Sequence, residues 1–250
     1  MASAIKSGKS GSRGEPEKTR AAILKAALEE FSHEGVTGAR TDEIARRAGV
    51  NKALLYYYFK NKESLYTAAF EEVLRDVMES TIAVLAFKCT AGEHLLRLAL
   101  NHFDRILTQH EFQSLMQQEM VRFQHGQSTS IPLLARTTFT PLLQKMQETV
   151  QQGIHTGELC NIDWMQVMYS SFGANVFYFM SAPMMRLSLS FEPFDPAVIE
   201  SRRKAAVQFL GNALFVDRAH GAKLARRVLT AMPMPAISNP PAWRKTYERP

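Results

Sequence analysis

From residue 16 onward the apolar side chains recur every three or four positions, and nowhere do they alternate with polar ones over the length of a strand. A stripe at that period can be buried only by packing helix on helix, which removes sheet-based folds at the outset. Residues 16–34 carry it in Ile23, Leu24, Ala27, Leu28 and Phe31, with Pro16 suited to a first helical turn and Gly35 ending the run. Short helices follow at 41–48 and 51–59, and Asn61 caps a long one reaching about residue 87. Thr90-Ala-Gly-Glu93 is a capping box for a helix at 91–108. Further helical runs are expected at 111–124, 131–155, 163–186 and 196–217, with a short one at 219–230. The reading is all-α, nine to ten helices without repeats, in a small N-terminal module and a larger C-terminal one.

Composition sets the class and the compartment. At 250 residues, 46% hydrophobic and 22% charged, the chain has ample material for one or two cored domains, so a disulfide-stapled miniprotein, a disordered tail protein and a fibre are excluded. Cys89 and Cys160 stand 71 residues apart, too few and too far for a disulfide framework or a zinc knuckle, and the reduced cytoplasm is the expected compartment. No secretory signal is expected in the Ser/Gly/Lys/Arg-rich opening. The net charge of +6 divides unevenly: 12 basic against 7 acidic residues over 1–62, 11 against 16 over 63–217, and 7 against 1 over 218–250. A polyanion would therefore bind at an end of the chain and not at its centre. Residues 1–15 read as a disordered basic tail and 218–250 as a basic extension, partly disordered from the Pro-rich run at 232–241.

Residues 41–59 have the mechanics of a helix-turn-helix. Thr41 can cap the first short helix, whose positive end Asp42 and Glu43 complement, while Ile44 and Ala45 face inward. Gly49 supplies the left-handed residue of the turn and Val50 fills the angle between the helices. Asn51 caps the second helix, which Leu55 and Phe59 anchor to the core. Lys52, Ala53, Leu54, Tyr56, Tyr57 and Tyr58 are left to divide between packing and an outer face. Three consecutive aromatics cannot all point outward, so one of them, Tyr56 by its position, is expected to be partly buried. A helix of this kind laid in a major groove presents its N-terminal residues to base edges.

The run Thr19-Arg20-Ala-Ala-Ile-Leu-Lys-Ala-Ala-Leu-Glu-Glu-Phe31, Gly35, Thr41, Ile44-Ala45, Ala48-Gly49-Val50 and then Leu55-Tyr56-Tyr57-Tyr58-Phe59-Lys60-Asn61-Lys62-Glu63-Ser64-Leu65 resembles the DNA-binding domain of the TetR family of transcriptional regulators. The resemblance covers about residues 17–70 and implies a DNA-binding domain at 16–62 followed by an effector-binding and dimerisation domain at 63–217. It places Lys52, Tyr57 and Tyr58 where such proteins touch phosphates and bases, with Ala53 and Leu54 on the same recognition helix and Tyr56 both packing and meeting the backbone. Thr41 would donate to a phosphate, Lys62 would clamp one beside the first amides of the long helix, and Arg40 would add a contact. Asn51 and Leu54 depart from the family's habit of small hydroxyl residues. Leu54 could meet only a thymine methyl.

The resemblance further implies a homodimer on a palindromic operator, released by a small-molecule effector; operator position decides between repression, the favoured reading, and activation. Candidate pocket walls are Phe103, Met116, Met120, Phe123, Phe139, Met146, Trp164, Met168, Phe172 and Phe177, with Gln117, Arg122, Asn175 and Tyr178 as polar handles for a hydrophobic or amphipathic effector. Phe179, Phe209, Leu210 and Leu214 are candidates for the dimer face. The uncharged run 164–185 is read as a packed helix and not as a membrane span, because Gln166, Ser170, Ser171, Asn175 and Pro183 interrupt it.

Other chemistry finds no foothold. Ser7-Gly8-Lys9-Ser10 lacks the earlier glycine and the strand of a phosphate-binding loop. His94, His102 and His110 recur every eight residues, a helical step of about 12 Å and about 80° that keeps any two from sharing an ion. No nucleophile elbow, paired-carboxylate site or Cys–His pair stands out. Neither catalysis, a metal nor a cofactor is expected. An all-α enzyme or carrier with an idle helix-turn-helix is the alternative, and salt-dependent DNA binding would separate the two.

Overall fold

The computed structural model describes residues 16–128, 130–189 and 191–236; the tail expected at 1–15 and the extension beyond residue 236 lie outside these. Among the described residues the chain forms ten helical rods and no strands, apart from an isolated bridge between Leu159 and Phe215. The elements are α1 (Pro16–Gly38), α2 (Thr41–Arg47), α3 (Lys52–Tyr58), α4 (Lys62–Ala86), α5 (Ala91–Thr108), α6 (His110–Gln124), α7 (Ser130–Leu134), α8 (Thr140–His155), α9 (Trp164–Met168), α10 (Ala174–Leu189), α11 (Pro196–Ala213) and α12 (Arg218–Ala231). Single π-helical turns, Ala135–Phe139 and Tyr169–Gly173, join α7 to α8 and α9 to α10, so that each pair is one rod.

The residues divide into two compact units, one ending at Glu72 and the other beginning at Val73, a boundary ten residues later than the predicted one at 62. The shift follows from the start of α4: Leu65, Tyr66, Ala69 and Phe70 are buried in the first unit's core with Ile23, Leu24, Ala27, Phe31, Ile44, Leu55 and Phe59. The Tyr66 ring meets Phe31 edge-on at 5.1 Å. The helix-turn-helix therefore closes only when the first turns of α4 pack under it.

In the second unit α5 is central. One core groups Leu95, Leu96, Ala99 and Leu100 of α5 with Val207 and Leu210 of α11, the adjoining Leu214 and Phe215, and Leu224, Ala225 and Val228 of α12. Another joins Phe103, Ile106 and Leu107 to Phe179 and Ala182 of α10 and to Phe194 and Ile199. Helix α12, which falls where a short helix was expected at 219–230, is thus built into the core of the second unit. Glycines at the crossing of α11 and α12 permit the approach: a Cβ on Gly221 would lie 2.0 Å from the Gly211 carbonyl oxygen.

Arg203 of α11 ties this unit together. Its side chain is buried, and its guanidinium donates from Nε to Asp104 Oδ1 at 2.7 Å and from an Nη to Oδ2 at 2.8 Å. It donates also to the carbonyls of Met232 and Pro233 at 2.7 and 3.3 Å, which draws the chain after α12 across the core, where Met234 packs. Burial pushes the Asp104 carboxyl above its ordinary range, against the pull of Arg203.

Candidate nucleic-acid interface

The first unit presents a short helix held rigidly from below. Gly49 takes φ +69°, the left-handed geometry that the turn demands and a side chain resists. Asn51 caps α3 as expected, accepting the Leu54 amide at 2.8 Å. Leu55 is fully buried and Phe59 nearly so, which points the opposite face of α3 outward. On that face stand Lys52 and Ala53, both exposed, Tyr57 with 81% of its surface open, and Tyr56 at 38%. Tyr56 is thus partly buried, as expected, and Leu54 and Tyr58 are half-buried beside it.

Polar contacts fix these side chains. Lys52 Nζ pairs with Asp42 at 2.9 Å, which raises the lysine pKa and lays its ammonium across the mouth of the two helices. Thr41 does not cap α2: Arg40 occupies the cap position without a side-chain bond, and Thr41 is buried in the first turn with its hydroxyl 3.2 Å from that of Tyr56. The pair holds the Tyr56 ring against α2. Lys62 donates to the carbonyl of Thr37 at 2.9 Å, closing the C-terminal end of α1 and leaving two N–H donors for another acceptor. Asn61 and Ser64 form a reciprocal cap, each accepting the other's amide, at the start of α4.

Sequence reasoning missed Glu30. This carboxylate is buried within the stripe of α1, accepts the Arg40 amide at 3.1 Å and pairs with Arg47 at 3.3 Å, so it registers α2 on α1. The available signal was an acid at the buried face of an amphipathic helix, three residues past Ala27. Glu43, on the exposed side, bonds both Arg46 and Arg47, whose hydrogen bonds hold its carboxyl down at about 2.

In the second unit the predicted pocket residues separate. Phe103, Phe172, Asn175 and Tyr178 gather along the seam of α5 and the rod α9–α10. Asn175 is buried and donates to the Ala99 carbonyl at 3.0 Å, while its Oδ1 has no partner among the described residues. One turn along the seam the His102 ring lies 4.5 Å from Phe172, its Nδ1 also unpartnered among the described residues, and burial pushes the imidazole down to about 4. Gln117, Met120 and Phe123 are exposed on α6, and Trp164 packs on the other core, so these do not join the seam. Met116, Phe139 and Met168 are half-buried, Met146 is buried, and Arg122 pairs with the buried Glu119 at 3.0 Å. Of the dimer-face candidates, Phe209 is 65% exposed, whereas Phe179, Leu210 and Leu214 are buried in their own unit's cores. Among the described residues no helix is long and apolar enough to cross a membrane, and no group of three or more His, Cys, Asp or Glu side chains is placed to hold a metal ion.

Comparison with known proteins covers both units. Residues 23–69 match the family described as bacterial regulatory proteins, tetR family, and residues 92–210 match the tetracyclin repressor-like C-terminal domain. The HTH-type transcriptional repressor SCO4008 of Streptomyces coelicolor is 43% identical over 63 residues, 25% of this chain and 33% of that protein. The regulator RutR of Escherichia coli is 51% identical over 53 residues, 21% of this chain and 25% of its own. The fatty acid metabolism regulator protein of Bacillus subtilis is 31% identical over 98 residues, 39% and 50% of the two chains. The matched region thus spans a quarter to a half of these relatives. Two solved structures share the fold: a gamma-butyrolactone receptor, with TM-score 0.60 at 21% identity over 87% of this chain and all of that one, and FadR of Bacillus subtilis in complex with stearoyl-CoA, with TM-score 0.56 at 22% identity over 75% and 97%. With both its helix-turn-helix unit and its C-terminal unit matched, the chain belongs to the TetR family of bacterial regulatory proteins.

Proposed function

We propose that the protein is a cytoplasmic, homodimeric transcriptional repressor that leaves a palindromic operator when a hydrophobic or amphipathic small molecule binds its second unit. The observation that carries the reading is the outer face of α3, where an 81% exposed Tyr57 stands beside Lys52 and Ala53 on a helix pinned by Asn51 and Leu55. A tyrosine so exposed on a rigid support gains nothing for the fold and suits contact with sugar, phosphate or base edges. Arg40 and Lys62 flank it as backbone contacts, the second already oriented by Thr37. The names of two structural relatives, a gamma-butyrolactone receptor and a regulator in complex with stearoyl-CoA, support a small-molecule effector.

The test is selection of genomic fragments by the purified protein at roughly physiological salt, followed by affinity measurements on the retained motif. Tyr57→Ala is expected to weaken binding to that motif by about 1–3 kcal/mol and to leave binding to random DNA nearly unchanged. Equal losses on both would remove Tyr57 from base readout. Retention of random DNA alone would remove the operator reading.

Two copies would pair through the exposed apolar side of the α9–α10 rod. Met165, Tyr169, Phe177, Met180, Met184 and Leu187 lie along it, all more than 40% open, with Phe209 of α11 exposed in addition. A short recognition helix gains its affinity by binding as one of two, at half-sites about 34 Å apart. Changing Met180 and Met184 to Glu is expected to convert the dimer to monomer in sedimentation equilibrium; a surviving dimer would move the interface off this face.

A further inference from the structure

Helix α10, the segment 191–195 and helix α11 enclose a cleft of about 360 Å³ walled by Phe177, Tyr178, Ala182, Met185, Phe191 and Pro193. Into this apolar cleft α11 sends one charged group, Arg202. We propose that the cleft binds an amphipathic organic anion, its carboxylate on the Arg202 guanidinium and its aliphatic body along the aromatic and methionine walls. The proposal rests on the reading that the second unit takes an effector, and it names the chemical class.

Three features carry it. First, Arg202 has no carboxylate partner among the described residues: it donates to the Ala174 carbonyl at 3.3 Å and lies 5.6 Å over the Tyr178 ring. Of the five N–H donors of a guanidinium, one is used there, and the flat fork that remains fits a carboxylate in two parallel bonds. Second, the nearby acid is already engaged. Glu192 pairs through Oε2 with Arg186 at 3.1 Å and accepts the Phe194 amide through Oε1, so the charge of Arg202 stands uncompensated in the cleft. Its neighbour on α11, Arg203, contrasts with it, buried and fully matched to Asp104.

Third, the wall formed by residues 191–195 is tied to α10. The Tyr178 hydroxyl donates to the Pro193 carbonyl at 2.5 Å, and burial pushes its pKa up to about 12, so this donor persists at any physiological pH. Phe194 and Ile199, on either side of the segment, are buried in the core, which anchors Phe191 and Pro193 as a fixed side of the cleft. The volume lies at the small end of ligand sites, roughly 300–1,000 Å³, and suits a chain of about ten carbons better than a long lipid.

The experiment measures binding of decanoate, decanol and decyltrimethylammonium to the full chain by calorimetry, without DNA. The expected order is decanoate tightest by about ten- to hundredfold, since a charge-assisted bidentate pair exists for it alone. Arg202→Met is expected to bring decanoate down to the level of decanol, with Arg202→Lys in between. Equal affinity of wild-type protein for all three amphiphiles, or no binding of decanoate, overturns the proposal without recourse to any variant. Undiminished decanoate binding by a folded Arg202→Met protein overturns it as well. A separate arm adds decanoate to the complex with the retained DNA. If Arg202-dependent binding leaves DNA affinity unchanged, the site stands and the effector reading falls.

Discussion

Replacing Arg203 by methionine lowers the stability of the second unit by about 3–5 kcal/mol, the usual cost of removing one partner from a buried ion pair. The guanidinium is enclosed with the Asp104 carboxylate and two main-chain carbonyls, and its loss strands all three acceptors where water has little access. For a unit of this size the midpoint of thermal unfolding should fall by about 6–20 °C. The double variant Arg203→Met, Asp104→Leu is the informative companion. Removing both charges restores much of the loss, because the penalty comes from the orphaned carboxylate and not from a large net gain of the pair. A single variant within 1 kcal/mol of wild type in urea unfolding would mean that the four contacts contribute almost nothing.

Leu55→Ala is expected to abolish the proposed operator binding by a different route. Leu55 is fully buried and anchors α3 from beneath, so truncation costs about 2–5 kcal/mol in a small unit with little stability to spare. At the upper end most first units unfold, and the retained helical signal comes from the second. Limited proteolysis should then clip the chain before residue 73 and leave the remainder intact, while analytical ultracentrifugation should still report the proposed dimer. Loss of both units together would show that they do not fold independently. By contrast Tyr57→Ala, on the opposite face of the same helix, leaves stability unchanged and acts on DNA alone.

These two sites show how unevenly the structure could be read from residues. The helices, the turn at Gly49, the cap at Asn51 and the buried positions Leu55 and Phe59 all depend on interactions within about four residues, which the spacing records directly. The same locality explains why the outer face of α3 was legible: a seven-residue helix with two anchored positions has little choice about which side it exposes. Even there, contacts between elements changed the roles. Thr41 meets Tyr56, fifteen residues away, in place of capping α2, and Glu30 seats α2 from within α1.

In the second unit the balance is reversed. Helical period identified α5, α10 and α11, but an apolar residue at the right period can face its own core or a second chain equally well. Leu210 and Leu214 went inward and Phe209 outward because α12 folds back on α11 through the Gly211–Gly221 crossing, a contact no periodicity announces. The distinction between Arg202 and Arg203, adjacent in the chain, was likewise beyond the residues alone. One reaches Asp104, 99 positions earlier, and the other a cleft walled from two helices and a connecting segment. Helix formation and capping are short-range and were written in the order of the residues; partner choice among buried charges and the assignment of apolar faces depend on which helices meet, and that was settled by packing.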